Sequence, residues 1–271
     1  RIVILTNGLL VSERLQQQWP RERIHLQISL DGRPEHHDGL RGNGAFARLE
    51  QQLIWLEQHD WQFTLSSCIT RDNADDLIWL VEYAAGKGAG ALHLMWHFIR
   101  GRGTQEQHLQ PLELLPHLLA AQQRAEQLGI AIDNIDNLKG QIFSPPGTIY
   151  DGSTAGWEAA AIGPDNRLYP SAATIGFDEL ATELNQGLEH AWQKSPLLQP
   201  IRQTSVIELK DPWRFLLGGG DFDHCWHHNR TFIGSDPYQP LFEQLALHLI
   251  SKAATRLPEP TGNGLRLKMG E

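Results

Sequence analysis

The sequence predicts an α/β fold: an open or incomplete parallel (β/α) barrel that carries a small, irregular domain on its C-terminal side. Three observations predict it. Short β-rich runs alternate with stretches of helical periodicity, the pattern of βαβ units and a parallel sheet. Five such runs are found, fewer than the eight strands of a closed barrel. After about residue 150, glycine and proline become frequent and the helical periodicity weakens.

The expected strands are Arg1–Leu5, Arg23–Ser29, Gln62–Ile69, Gly90–Trp96 and Ile130–Ile135. Between them, Phe46, Leu49, Leu53 and Leu56 recur at helical spacing and line one face, as do Leu77, Leu80, Val81 and Ala84. Asn73 stands where the second of these helices needs an N-cap, with Asp75 and Asp76 in the first turn, where the helix dipole favours negative charge. Pro111 suits the first turn of a third helix and Gly129 its C-terminal stop. In the irregular part, Phe177–Trp192 reads as a helix, and Tyr238–Ala254 as an amphipathic helix before a Pro/Gly-rich tail. The expected divisions are therefore 1–150, 151–235 and 236–271.

Composition excludes several classes. The formal net charge of −9 and the absence of a Lys/Arg stripe argue against nucleic acid as a partner. No apolar run reaches the roughly 18 residues of a membrane span, so no membrane partner is expected. The two cysteines, Cys68 and Cys225, lie far apart without a CxxC, which excludes a disulfide framework and an all-thiolate site. A reducing, cytoplasmic setting is expected. Arg1 runs straight into a buried-looking strand, which raises the expectation of a fragment or a processed chain.

Four segments fall at or just after strand C-termini, the edge at which parallel α/β sheets bind ligands. They are Thr6-Asn7-Gly8; Ser29-Leu30-Asp31-Gly32 with His36-His37-Asp38-Gly39-Leu40-Arg41-Gly42; Thr70-Arg71-Asp72-Asn73; and Arg100-Gly101-Arg102-Gly103. Singly, each reads as turn chemistry. As an ordered set they resemble the later strands of radical S-adenosylmethionine (radical SAM) proteins with SPASM domains. In that family TNG closes the third barrel strand and SLDG the fourth, an HDxxRG segment follows, an Asn opens the helix after the fifth, and a GR dipeptide follows the sixth. The resemblance continues through Ser153-x-Ala-Gly156-Trp157, Gly163-Pro164-Asp165-Asn166-Arg167-Leu168-Tyr169-Pro170-Ser171 and Asp211-Pro212-Trp213 to Gly218-Gly219-Gly220-Asp221. These match the SPASM frame.

The resemblance implies an enzyme that modifies a precursor peptide or protein by radical chemistry, using S-adenosylmethionine and a [4Fe-4S] cluster. It implies cofactor contacts from Ser29, Asp31 and Arg41, with Asn7 and Arg102 as second choices. Where the family carries auxiliary-cluster cysteines, this chain has Ser153, Ser171, Asp211 and Leu217, with Glu208 and Asp221 at two further positions. Auxiliary clusters are therefore not expected. The family's catalytic cysteine triad belongs to strands that would precede Arg1, so the chain as given is expected to be incomplete and inactive on its own.

Alternatives remain open. The chain is a non-catalytic paralogue that binds a peptide or a partner enzyme, or an unrelated α/β hydrolase or metal-binding protein. For the last, His224, Cys225 and His228 are the weak metal candidates, since a helix would put the two histidines on one face. His36 and His37 also lie near the expected ligand edge; His93 and His97 are expected to pack or cap. Asp133 and Asp136 are weak candidates for acid–base work.

Overall fold

A computed structural model describes residues 2–11, 20–150 and 152–255. The Arg1 start of the first expected strand and the Pro/Gly-rich tail after residue 255 lie outside the described residues. Five strands, β1 (Ile2–Thr6), β2 (Ile24–Ser29), β3 (Phe63–Ile69), β4 (Ala91–Trp96) and β5 (Ala131–Ile132), form one sheet in sequence order, every neighbouring pair parallel. The fold is α/β with a parallel sheet, as expected.

The period-2 pattern decides which face is covered. In β2, Ile24, Leu26 and Ile28 are buried while His25, Gln27 and Ser29 are half-buried. Helix α1 (Pro34–Arg41) follows the turn after β2, and the apolar face is covered by α2 (Ala45–Gln58), α3 (Leu77–Gly86), α4 (Pro111–Leu128) and α5 (Asp133–Ile142). In α2, Leu49, Leu53 and Leu56 are buried with Phe46 packed beside them, and in α3 Leu77, Leu80, Val81 and Ala84 are buried. Pro111 occupies the first turn of α4, Gln110 and Glu113 form a capping box before it, and Gly129 ends it at φ 70°.

The expected strand Ile130–Ile135 stops after two residues. The side chain of Asn134 takes over its pairing: its Oδ1 accepts from Leu94 N at 2.8 Å and its Nδ2 donates to Leu94 O at 2.9 Å. With β4 satisfied by a side-chain amide, the backbone is free to begin α5 at Asp133.

Beyond residue 150 the chain forms a three-stranded antiparallel sheet, β6 (Ala161–Ile162), β7 (Arg167–Tyr169) and β8 (Thr182–Glu183), with short helices α6 (Leu188–Lys194), α7 (Leu198–Gln203), α8 (Arg214–Leu217) and α9 (Phe222–Asn229). The expected helix Phe177–Trp192 is not formed. Thr182 and Glu183 are drawn into β8 by pairing with β7, and Gly187 at φ 87° turns the chain before α6 begins. The last helix, α10 (Gln239–Ala254), matches the expected one. It buries Leu241, Leu245, Ala246 and Leu249 in the same core as the five-stranded sheet.

Leu53 is fully buried in this core, and Ile54 beside it is 40% exposed. Leu53→Ala is expected to lower unfolding stability by about 2–5 kcal/mol, and Ile54→Ala to change it by no more than about 0.5 kcal/mol. Urea denaturation of the two variants checks the contrast.

Candidate functional site

On the opposite face of the sheet β2, β3 and β4 carry mainly polar side chains, of which Thr64 and Ser66 are buried, while Val3 and Leu5 of β1 are exposed on it. Strand register sets Ser29 beside Ser66, and Ser66 beside His93, so the three share one face across β2, β3 and β4. His25 Nε2 lies 2.8 Å from Thr64 Oγ1. His93 Nδ1 lies 2.9 and 3.0 Å from the two oxygens of Asp133, and both side chains are about a third exposed. Asp133 is in place because Asn134 holds the start of α5 against β4. Sequence reasoning weighed Asp133 and His93 separately; the strand register that joins them has no local signal.

At the C-terminal edge the turn after β2 is built around two buried carboxylates. Asp31 is 2% exposed. Its Oδ2 accepts from Arg41 Nε at 2.6 Å and its Oδ1 from Cys68 N at 3.1 Å, while its own N–H donates to His37 Nδ1 at 3.2 Å. That contact, together with burial, which depresses its pKa, keeps His37 neutral with its proton on Nε2. Asp76 accepts from Arg33 N at 2.8 Å and Arg33 Nε at 3.1 Å and lies 2.5 Å from His36 Nδ1. Gly32, at φ 107°, has no room for a side chain, since a Cβ would stand 2.5 Å from Asp76 Oδ2. Asp38 accepts from Gly44 N and Phe46 N, both at 2.7 Å; these bonds hold its carboxyl below the usual range.

Asn73 joins these parts. Expected as a helix cap, it makes no capping bond. Its Oδ1 instead accepts from Thr70 N at 2.8 Å, and its Nδ2 donates to Cys68 O at 2.9 Å and Asp31 O at 3.2 Å. Asp76 likewise works through its contacts with Arg33 and His36.

The five cofactor candidates fall in different surroundings. Ser29 is half-buried on the polar face, and among the described residues its hydroxyl makes no hydrogen bond. Arg41 keeps 31% of its side chain exposed beyond the Asp31 contact. The Asp31 carboxylate is spent on protein partners. Asn7 is exposed, with Oδ1 accepting from Leu9 N at 3.2 Å. Arg102 is exposed, whereas Arg100 of the same motif reaches the carbonyls of Ala173 and Ile175 and lies 4.3 Å over Phe177. Arg100 thus ties the β4 edge to the second region, a role the sequence reading missed because two arginines in one turn motif look alike.

The segment from His224 to His228 is helical, within α9, but it does not form a metal centre. His224 turns its Nδ1 to Asp236, 3.1 Å from each oxygen. Burial opposes its protonation, yet Asp221, Asp236 and Asp223 together outweigh that and raise its pKa. Cys225 is fully buried near Tyr150 and Gly234 O, and His228 is exposed. Among the described residues, no three His, Cys, Asp or Glu side chains are grouped as a metal site. Asp136 pairs with Lys139 at the surface.

The positions where the resemblance placed cluster cysteines are occupied by other contacts. Ser153 Oγ accepts from Ala155 N at 3.2 Å, and Ser171 Oγ donates to Asp223. Asp211 accepts from Trp213 N at 2.8 Å and Gln239 Nε2 at 2.5 Å. Asp221 caps α9 through Asp223 N and His224 N, Leu217 packs in the first core, and Glu208 is exposed. Burial, then Asp221, pushes Asp223 up to about 6. Burial pushes Cys68 up to about 11 and Cys225 up to about 12, aided by Asp31 and Asp236 respectively. Two thiols held protonated in separate surroundings do not fit an iron–sulfur cluster.

No family model matches the chain. Over 116 residues it is 28% identical to the AdoMet-dependent heme synthase of Methanosarcina barkeri (strain Fusaro / DSM 804), a match covering 42% of this chain and 33% of that relative. It thus spans a third of the relative's length. Among solved structures, native anSMEcpe with bound AdoMet aligns at TM-score 0.73 and 15% identity, covering 94% of this chain and 75% of that one. SuiB of Streptococcus suis bound to precursor peptide SuiA aligns at TM-score 0.66 and 14% identity, over 88% of this chain and 58% of that one. The resemblance to radical SAM proteins with SPASM domains therefore holds in the fold.

Two outcomes follow from the turn. Asn73→Ala leaves three buried backbone groups without partners and is expected to cost about 1–3 kcal/mol in chemical denaturation. Its hydrogen bond to Asp76 raises the His36 pKa above 6.5. The pair's stabilisation is therefore complete below about pH 6.5 and is lost as pH rises through the raised value. The stability difference between wild type and His36→Gln is expected to shrink as pH rises above about 6.5, read from urea midpoints at each pH.

Proposed function

We propose that the polar face and the turn after β2 form the cofactor and substrate wall of a radical SAM enzyme that modifies a peptide or protein. The observation that carries this reading is that half-buried Ser29 ends β2 on the face it shares with His93, while Arg41, still 31% exposed, is held by Asp31 two residues further on, in a sheet whose fold neighbours include proteins solved with AdoMet and with a precursor peptide. Ser29 and the outer guanidinium nitrogens of Arg41 would hold the ribose or carboxylate of S-adenosylmethionine. Asp31 serves by orienting Arg41, and Asn7 and Arg102 are secondary contacts on the exposed rim. The chemistry such a cofactor supplies is a radical drawn from its sulfonium with an electron from a [4Fe-4S] cluster. Cys68 and Cys225 do not fit that cluster, so on this reading the chain is inactive by itself and the cluster is held by other residues.

A peptide partner, rather than nucleic acid, accords with the net charge of −9, and among the described residues no helix is long and apolar enough to cross a membrane. Two unpaired thiols accord with a cytoplasmic setting. One feature favours a second reading, a non-catalytic peptide-binding paralogue: Ser171, Asp211 and Asp221 make hydrogen bonds of their own where thiolates would stand.

Calorimetry of the chain with S-adenosylmethionine tests the cofactor contacts. Weak binding is expected, weakened about tenfold further by Ser29→Ala and by Arg41→Ala, a change of about 1.4 kcal/mol each. Tight binding insensitive to both variants refutes the assignment.

A further inference from the structure

By the two-residue period of the strands, His25, Cys68 and His93 stand on the face that carries Ser29 and Ser66. Two of these three titratable groups are committed. His25 Nε2 lies 2.8 Å from Thr64 Oγ1, and burial, with Asp31 nearby, pushes the Cys68 thiol up to about 11. His93 differs. Its Nδ1 faces both oxygens of Asp133, at 2.9 and 3.0 Å, while 30% of its side chain stays exposed. Among the described residues its Nε2 has no hydrogen-bond partner, and it is not shut off from solvent.

An ionised carboxylate can only accept, so the Asp133 contact fixes the proton of neutral His93 on Nδ1 and leaves a lone pair on Nε2. The pair is not needed to dock α5 on β4. Asn134 already does that through both atoms of its amide on Leu94, at 2.8 and 2.9 Å. That clamp instead places Asp133 in the first turn of α5, where the helix dipole suits a carboxylate. Asn134 thus holds Asp133, and Asp133 orients His93. A base held by a third group, with its other nitrogen unspent, is the arrangement that general-base chemistry uses.

We propose that His93 Nε2 accepts a proton from a hydroxyl, thiol or amide of a substrate resting on this face, with Asp133 as its positioning residue. The step is a proton transfer alone. The substrate's X–H bond breaks and its electron pair stays on X. The new N–H bond sets the positive imidazolium against the Asp133 carboxylate, and the reverse transfer returns the proton. The proposal rests on the reading of this face as a substrate wall. Its test needs neither S-adenosylmethionine nor an iron–sulfur cluster, so either can fail without the other.

The test is nitrogen NMR of the full chain carrying nitrogen-labelled histidine, with the rate at which diethylpyrocarbonate modifies each histidine read by peptide mass spectrometry. His93 is expected in the Nδ1–H tautomer and to be modified at Nε2. Asp133→Ala is expected to abolish that tautomer preference and slow modification of His93 several-fold, with His25 little changed. Hydrolysis of p-nitrophenyl acetate, in which Nε2 takes a proton from the attacking water, is expected to fall at least about tenfold in His93→Gln. The tautomer and the modification rate of the wild type keep the test decisive if a variant fails to fold. An Nε2–H tautomer, a His93 that the reagent leaves unmodified, or hydrolysis unchanged in His93→Gln overturns the proposal and leaves the pair a structural tie.

Discussion

The amide of Asn73 is the joint on which the C-terminal edge of the parallel sheet depends. It is fully buried, and it bonds backbone groups of two adjacent strand ends, Asp31 O after β2 and Cys68 O in β3, while accepting from Thr70 N. A parallel sheet leaves the backbone beyond its last ladder bond without partners, and burying those groups without bonds is costly. One side chain solves this for both strands. With Asp31 O fixed, its carboxylate is aimed at Arg41, and the turn through Gly32 is pressed against Asp76. The separation of Ser29 and Arg41 at this edge is thus set by a residue that need never touch a ligand.

Much of the scaffold was legible because it obeys simple periods. Strands β2, β3 and β4 were found within a residue or so, and the buried faces of α2 and α3 were named residue by residue. What was missed shares one cause: polar side chains that replace backbone. Asn134 pairs with Leu94 as a strand residue would, so β5 ends three residues before its expected stop at Ile135 and looks longer in sequence than in space. The reading of 177–192 failed differently, because pairing of Thr182 and Glu183 with β7 overrode a plausible helical pattern. At the C-terminal edge, local motifs named residues but could not assign their contacts. Asp31 and Arg41 were both named, yet only the fold shows that one carboxylate is consumed in holding the other's guanidinium.

The second region replaces one kind of cross-link with another. In the frame that the sequence resembles, thiolates on iron would tie distant segments. Here hydrogen bonds do so: Ser171 to Asp223, Asp211 to Gln239 of α10, and Asp236 to both His224 and the backbone of Asp221. Buried carboxylates are tolerated only when so partnered. Burial, and then Asp221 close by, raises the pKa of Asp223 despite its bond from Ser171.

These two regions meet at the loop after β4, and that junction limits what can move at the C-terminal edge of the sheet. Arg100 donates to the carbonyls of Ala173 and Ile175, Phe98 stacks on His227, and Trp96 stacks on Tyr238 at 5.6 Å. Tyr238 N in turn bonds Asp236, the partner of His224. A displacement of the loop would break cation–π, stacking and charge-assisted contacts at once, and such contacts do not stretch gradually. The end of β4 therefore moves with the second region or not at all. The outer end of this face is thus fastened from behind, whereas Asn7 and Arg102 on the exposed rim make no contact with the second region among the described residues.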